Sequence, residues 1–136
     1  MYPPELVKPM REELTSIGFT ELHTQQNVTD ALSKEGTTLV VVNSVCGCAA
    51  ANARPGARMS LQNDSKPDHL VTVFAGVDRD AVDAARAQMT PFPPSSPSMA
   101  LFKNGELVHM LERHHIEGRH ADMIAENLKG AFNEHC

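Results

Sequence analysis

A run of β-branched residues leads directly into two cysteines and then into a run of alanines, and this order constrains the fold more than any other feature. Thr37 to Val45 reads TTLVVVNSV, which is typical of a strand covered on both faces. Cys46-Gly47-Cys48 follows without a gap, and the alanine-rich Ala49 to Arg54 strongly favours a helix. The sequence therefore predicts a central strand that ends at a dithiol, with both cysteines at the start of a helix.

Helices and strands alternate along the rest of the chain. Amphipathic spacing with capping residues predicts helices, and short β-branched or alternating runs predict strands. The predicted helices are Pro3–Ile17, Thr29–Glu35, Cys46–Arg54 with a continuation over Ala57–Gln62, Asp78–Met89 and His120–Phe132. The predicted strands are Phe19–His23, Thr37–Val45, His69–Gly76, Met99–Lys103 and Leu107–Arg113, of which the last two form a hairpin. We expect Pro55 and Gly56 to interrupt or kink the helix that follows the cysteines.

The charge and hydropathy of the chain exclude several classes of partner. A formal net charge of -5 gives a phosphate backbone no electrostatic attraction, so we expect no binding to nucleic acid. The longest apolar run is Leu39 to Val42, far below the roughly 18 residues that span a bilayer, so no membrane partner is expected. Met1 to Glu5 lacks the basic and apolar regions of a secretory signal. We therefore expect a cytoplasmic protein.

The spacing of Cys46 and Cys48 suits transient thiol chemistry. A helix amino terminus stabilises a thiolate, which is the nucleophile in disulfide exchange, and Cys46 is predicted to lie there. Cys48 is close enough to attack a mixed disulfide formed on Cys46. Because only one residue separates them, a disulfide between them closes a tight ring, and we expect Gly47 to remove a side-chain clash from that turn.

Two other interpretations of the cysteines stay open. Free cysteine is among the most buried residue types, so the pair is also compatible with a structural role in the core. Cys46, Cys48 and a histidine also form a candidate metal site, although a closed zinc site needs four ligands and Cys136 lies at the chain end. We expect neither a metal nor a tightly bound cofactor. Most of the seven histidines are expected to be solvated surface groups.

A proline-rich loop precedes the predicted hairpin. Pro91 to Ser98 reads PFPPSSPS and is incompatible with regular secondary structure. Pro97, in Ser96-Pro97-Ser98, is a candidate for a cis peptide bond, because cis bonds are nearly confined to X-Pro. A trans proline in a rigid loop is the alternative.

Segments spread over nearly the whole chain resemble the bacilliredoxin family. These segments are VVVNSVCGCAAANARP (Val40 to Pro55), LQND (Leu61 to Asp64), VTVFAG (Val71 to Gly76), PSSPSMALFK (Pro94 to Lys103), ERHHIEG (Glu112 to Gly118) and AFNEHC (Ala131 to Cys136). The resemblance implies one thioredoxin-like α/β domain over residues 1–136, with a central mixed β-sheet flanked by helices on both faces. The chain departs from thioredoxin itself in its C-G-C site and in containing no tryptophan.

The resemblance also implies a function. Bacilliredoxins remove bacillithiol, a low-molecular-weight thiol and here a co-substrate, from cysteines of bacillithiolated proteins after oxidative stress. Carried over, Cys46 attacks the mixed disulfide, and Cys48 or a second bacillithiol resolves the product. Gly47, Ser96 and a cis Pro97 are then expected to bind substrate, and a flavin-dependent, NADPH-consuming bacillithiol disulfide reductase is the implied partner. A general protein disulfide isomerase or reductase is the alternative enzyme, and a Cys/His metal-binding module is the alternative from another class.

Overall fold

The computed structural model describes residues 2–136, in which strands and helices alternate. The strands are β1 Thr20–Glu21, β2 Thr37–Asn43, β3 His69–Phe74, β4 Ser98–Lys103 and β5 Glu106–Leu111. The helices are α1 Pro4–Thr15, α2 Gln25–Leu32, α3 Arg54–Ser60, α4 Arg79–Ala87, α5 Arg113–Ile116 and α6 Ala121–His135, and a π-helical segment, Ala49–Ala53, leads into α3. None of the helices described is both long and apolar enough to cross a lipid bilayer.

The strands form one mixed sheet in the order β1-β3-β2-β4-β5. Strand β2 pairs in parallel with β3 and antiparallel with β4, and all seven of its residues are buried. Strand β1 extends the parallel half, and β5 extends the antiparallel half. The predictions of a central strand at the TTLVVVN run and of a mixed sheet are therefore confirmed.

Alternate side chains of β2 enter two separate apolar cores, one on each face of the sheet. Leu39 and Val41 pack with the core that contains residues of α1, α3 and α6. Val40 and Val42 pack with the opposite core, which contains residues of α2 and α4. This alternation follows from the two-residue period of a strand. Helices thus cover both faces, as predicted.

Helix α3 packs closely on α6 at a glycine. A Cβ atom placed on Gly56 would lie 2.7 Å from Ile124 Cγ2 and 3.2 Å from the Ala121 carbonyl oxygen. The expected interruption is a π-helical turn just before Pro55, where the Arg54 N–H donates to the Ala49 carbonyl five residues earlier. Pro55 then lies in the first turn of α3, where its missing N–H is tolerated.

Two predicted boundaries are wrong because local capping was missed. The predicted helix Thr29–Glu35 is α2, Gln25–Leu32, which begins after Thr24; the Thr24 hydroxyl accepts from the Asn27 N–H at 3.0 Å. The strand predicted to reach Arg113 ends at Leu111. Arg113 instead begins the short helix α5, which is capped by Glu112.

Candidate functional site

The dithiol lies at the edge of the sheet where β2 and β3 end and β4 begins. Val42 pairs with Ser98, the first residue of β4, and Asn43 pairs with Phe74, the last residue of β3. Cys46 follows β2 by three residues and therefore leaves the sheet at this edge. The segment before β4 reaches the same edge, which brings the dithiol near residues far away in the sequence.

Cys46 and Cys48 are both partly buried free cysteines, and their Sγ atoms lie 2.6 Å apart. The Cys46 carbonyl accepts hydrogen bonds from the N–H groups of Ala49 and Ala50, at 3.0 and 3.2 Å. Helical turns therefore start directly after Cys46, as predicted, and both sulfurs lie at their amino end.

The pKa values of the two thiols are shifted in opposite directions. The pKa of Cys46 is lowered, first by its hydrogen bond with the Cys48 side chain, and further by the Cys48 backbone N–H and the positive charge of Arg113. The pKa of Cys48 is raised, first by burial and then by the neighbouring Cys46. Because a thiolate is the nucleophile in disulfide exchange, the lower pKa favours Cys46 over Cys48 for that role.

Arg113 is a site residue that the sequence reasoning missed. Its Nη2 lies 3.4 Å from Cys46 Sγ, its Nη1 donates to the Ser96 carbonyl at 3.2 Å, and its Nε pairs with Glu117 at 3.0 Å. One exposed guanidinium thus links the dithiol to the loop before β4. The available signal was its place in the ERHHIEG segment, which the sequence reasoning used only for the family resemblance.

A second arginine, Arg54, holds the chain beneath the dithiol. Its side chain is 2% exposed, and its Nη1 donates to Asn43 Oδ1 at 2.9 Å and to the Ser44 carbonyl at 2.8 Å. Its Nε lies 3.2 Å from a Glu13 carboxylate oxygen. The Ser44 hydroxyl in turn accepts from the Cys46 N–H at 3.0 Å. These bonds fix the segment that leads from β2 to Cys46.

The three predicted substrate-binding residues, Gly47, Ser96 and Pro97, differ from one another in burial and in contacts. Pro97 is buried and the Ser96–Pro97 peptide bond is cis, as is the Thr90–Pro91 bond, which had not been singled out. The Ser96 carbonyl contacts Arg113, as described above. Gly47 is exposed, has no positive φ, and a Cβ placed there would meet nothing within 4 Å. With both cysteines free, a side chain at Gly47 would meet no clash, and the role of Gly47 in closing a disulfide stays a prediction.

Cys136 lies at the far end of the helical layer from the dithiol. Asn63, which follows α3, donates to Asn133 near the end of α6 at 2.9 Å. The helical stretch from residue 47 to residue 60 rises about 20 Å at roughly 1.5 Å per residue. Cys136 therefore lies too far from Cys46 to resolve a mixed disulfide within the same chain.

The alternative of a metal site at Cys46, Cys48 and a histidine finds no such cluster within residues 2–136. The cluster of potential ligands there consists of Glu112, His114 and His115, and it contains neither cysteine. In that cluster, His115 Nδ1 already accepts the Glu112 N–H at 3.0 Å. Burial lowers the pKa of His115, which favours the neutral ring that this bond requires.

The fold and the site together define a thioredoxin-fold protein with two cysteines at the end of its central strand. A solved structure described as a putative oxidoreductase with a thioredoxin fold superposes with a TM-score of 0.62 at 20% identity, covering 76% of this chain and 88% of that one. Mitochondrial thioredoxin 3 of Saccharomyces cerevisiae superposes with a TM-score of 0.60 at 15% identity, covering 90% of this chain and 98% of that one. These similarities establish the thioredoxin fold.

The sequence comparisons identify the family within that fold. The family model described as disulphide isomerase matches residues 2–136. A bacilliredoxin of Cytophaga hutchinsonii is 58% identical over 134 residues, covering 98% of this chain and 99% of the relative. A bacilliredoxin of Shouchella clausii is 56% identical, covering 99% of this chain and 94% of the relative. The chain belongs to the bacilliredoxin family, and its fold and relatives are those of thiol-disulfide oxidoreductases.

Proposed function

We propose that this protein is a cytoplasmic thiol-disulfide oxidoreductase that removes bacillithiol from the cysteines of other proteins. The observation that carries the proposal is the paired environment of the two sulfurs, in which Cys46 has a lowered pKa and Cys48, with a raised pKa, lies 2.6 Å away. The names of the relatives support bacillithiol as the thiol that is transferred.

In the first step, the Cys46 thiolate attacks the bacillithiol sulfur of the mixed disulfide. A new disulfide forms between Cys46 and bacillithiol, the original disulfide breaks, and the target cysteine leaves as a thiolate. The positive charge of Arg113 beside Cys46 Sγ stabilises the attacking thiolate. Arg113 therefore acts as a catalytic residue in contact with the reacting sulfur.

The second step has two chemically balanced routes. The Cys48 thiolate can attack Cys46, which releases bacillithiol and leaves a Cys46–Cys48 disulfide. A second bacillithiol can instead attack the bacillithiol sulfur, which releases oxidised bacillithiol and the Cys46 thiolate. In the first route, two bacillithiol molecules reduce the Cys46–Cys48 disulfide and become oxidised bacillithiol. Both routes therefore end in oxidised bacillithiol, which needs two electrons from a reductant, and for this step we propose a flavin-dependent NADPH bacillithiol disulfide reductase.

The proposal is tested with one target protein whose cysteine carries either bacillithiol or glutathione. The intact masses of this target and of the present protein are followed over time. Removal of bacillithiol is expected to be fast and to be lost in Cys46→Ser. Removal of glutathione from the same target cysteine is expected to be markedly slower. Full activity in Cys46→Ser would refute the assignment of the nucleophile.

A general protein disulfide isomerase or reductase is the second candidate, because the matching family model carries the description disulphide isomerase. The two candidate activities differ in whether the reaction rate depends on which small thiol is attached to the target cysteine. Equal rates on the bacillithiol-capped and glutathione-capped targets, together with reduction of disulfides within proteins, favour the general activity.

A further inference from the structure

A surface cavity of about 460 Å³ lies at the same sheet edge as the dithiol. It is lined by Gly76 and Val77 after β3 and by Arg79, Val82, Asp83 and Arg86 of α4. Two arginines against one aspartate give this lining a positive formal charge.

The first wall of the cavity is fixed next to the strand that carries Cys46. Strands β2 and β3 are parallel neighbours, and the Ala75 N–H donates to the Asn43 carbonyl at 3.0 Å where both strands end. Gly76 comes next along the chain on one side, and Cys46 follows three residues after Asn43 on the other. The cavity therefore begins beside the segment that leads to the nucleophile.

The opposite wall is connected to the dithiol through the loop before β4. Arg86 Nη2 lies 3.5 Å from the Ser95 carbonyl oxygen, and the Ser95 hydroxyl accepts from the Arg113 N–H at 3.2 Å. The next carbonyl, that of Ser96, accepts from Arg113 Nη1, while Nη2 of the same guanidinium reaches Cys46 Sγ. Ser95 and Ser96 therefore connect Arg86 to Arg113, and Arg113 contacts the Cys46 sulfur.

In the part of the chain that the structure describes, Arg86 is the partly buried arginine that lacks an acidic partner. Of the seven arginines, only Arg11, Arg54 and Arg86 are not classed as exposed, and Arg11 and Arg54 each have a carboxylate oxygen within 3.2 Å. Within residues 2–136, no acidic side chain pairs with Arg86, which distinguishes it from Arg54, although the Nε of each is buried without a hydrogen-bond partner. A partly desolvated guanidinium normally has an anionic partner.

We propose that this cavity is the subsite for the carboxylate-bearing part of the low-molecular-weight thiol that exchanges with Cys46. The inference rests on the proposed function, since it places the transferred thiol on Cys46. A guanidinium binds a carboxylate through charge-assisted hydrogen bonds, and Arg86 lines the cavity without an acidic partner among the described residues, with the exposed Arg79 adding charge. The carboxylate only orients the thiol; the bonds that form and break are those of the first step described above.

The test measures disulfide exchange between Cys46 and two forms of one probe, oxidised glutathione and its fully esterified ethyl ester, in which every carboxylate is masked. Rates of adduct formation are read by intact mass in a Cys48→Ser background. The acid is expected to react faster than the ester. Arg86→Gln is expected to lower the acid-to-ester rate ratio by roughly three- to tenfold, and the exposed Arg79→Gln by less.

Arg58→Gln serves as the matched control, because Arg58 is exposed on α3 outside the cavity, and it is expected to leave the ratio unchanged. Arg86→Lys keeps the positive charge and is expected to keep most of the acid-to-ester rate ratio. That result would show that the lower ratio in Arg86→Gln comes from the lost charge and not from misfolding. An equal ratio in the unmodified protein and in the double variant of Arg79→Gln and Arg86→Gln would overturn the inference.

Exchange with this probe requires only a reactive Cys46, so the assay can be read even when bacillithiolated proteins are not substrates. If neither form of the probe reacts, the proposed function is tested separately by the bacillithiol-removal assay described above. The cavity is then tested by titrating S-methylglutathione and following the backbone amide resonances of Gly76, Val77 and Arg86. Shifts in those resonances that are lost on esterification support the subsite, and their absence overturns it.

Discussion

Cys46 lies between two arginines in opposite environments. Arg54, 2% exposed, lies beneath it and contacts the chain that leads to the sulfur, whereas the side chain of Arg113 is 44% exposed and contacts the sulfur itself. The buried arginine therefore determines where the nucleophile is placed, and the exposed one adjusts its charge. This division predicts that stability and reactivity can be changed separately.

The largest expected effect is on stability, at Arg54. Arg54→Met removes the donor to Asn43 and Ser44 and leaves the buried Ser44 carbonyl without it, while Asn43 Oδ1 keeps only the Ser44 N–H. We expect the free energy of unfolding, measured by urea denaturation, to fall by about 2–4 kcal/mol. Arg58→Met, an exposed arginine on the same helix, is the control and is expected to change it by less than about 0.5 kcal/mol. Equal losses of unfolding free energy in Arg54→Met and Arg58→Met would contradict a structural role specific to the buried Arg54.

The next effect concerns the docking of α3, which also lies beneath the dithiol. Gly56→Ala forces a methyl group against Ile124, and we expect it to destabilise the protein by about 1–3 kcal/mol in thermal unfolding. Gly130→Ala in α6 meets nothing within 4 Å and is expected to stabilise by about 0.5–1 kcal/mol. Neither change contacts the sulfur, so a large change in Cys46 reactivity in either variant argues against separable roles.

A smaller effect, on reactivity alone, is expected at Arg113. The positive charge lowers the pKa of Cys46, so Arg113→Gln raises it and shifts the rise of the alkylation rate to higher pH. At neutral pH, less thiolate is then present, and iodoacetamide is expected to label Cys46 on the order of two- to fivefold more slowly. Labelling is read by fragment masses that separate Cys46 from Cys48. Arg113→Lys should restore part of the rate, and an unshifted pH profile in Arg113→Gln would show that the charge has no influence.

The smallest effect is expected at Glu117, with the opposite sign. Its carboxylate pairs with Arg113 Nε and reduces the positive potential at the sulfur. Glu117→Gln therefore lowers the pKa of Cys46 further, and labelling below that pKa is expected to quicken by less than about twofold. The effect should disappear when Glu117→Gln is combined with Arg113→Gln. A slower reaction in Glu117→Gln alone would indicate that Glu117 acts by orienting Arg113.

Local patterns allowed the framework of the site to be predicted from the sequence. The β-branched run before Cys46 and the alanines after it are contiguous, so neighbouring residues determine the central strand and the helical start. The start of α2 is equally local, but the capping pair of Thr24 and Asn27 was overlooked in favour of Thr29.

Tertiary contacts explain what the sequence did not reveal. Arg113 is 67 residues from Cys46 in the chain and meets it only because β5 ends at Leu111 and α5 begins. An arginine beside a run of alanines predicts an exposed position, whereas the close packing of α3 buries Arg54. No periodicity in the sequence indicates either contact.

The central claim is that Cys46 is the thiol that accepts bacillithiol. Its most direct test mixes Cys48→Ser with an equimolar bacillithiolated protein, quenches the reaction with acid, and locates the adduct by peptide fragmentation. We expect the target protein to lose its bacillithiol and the adduct to accumulate on Cys46. An adduct on Cys136, or a target that keeps its bacillithiol while Cys46 remains free to alkylate, would contradict that claim.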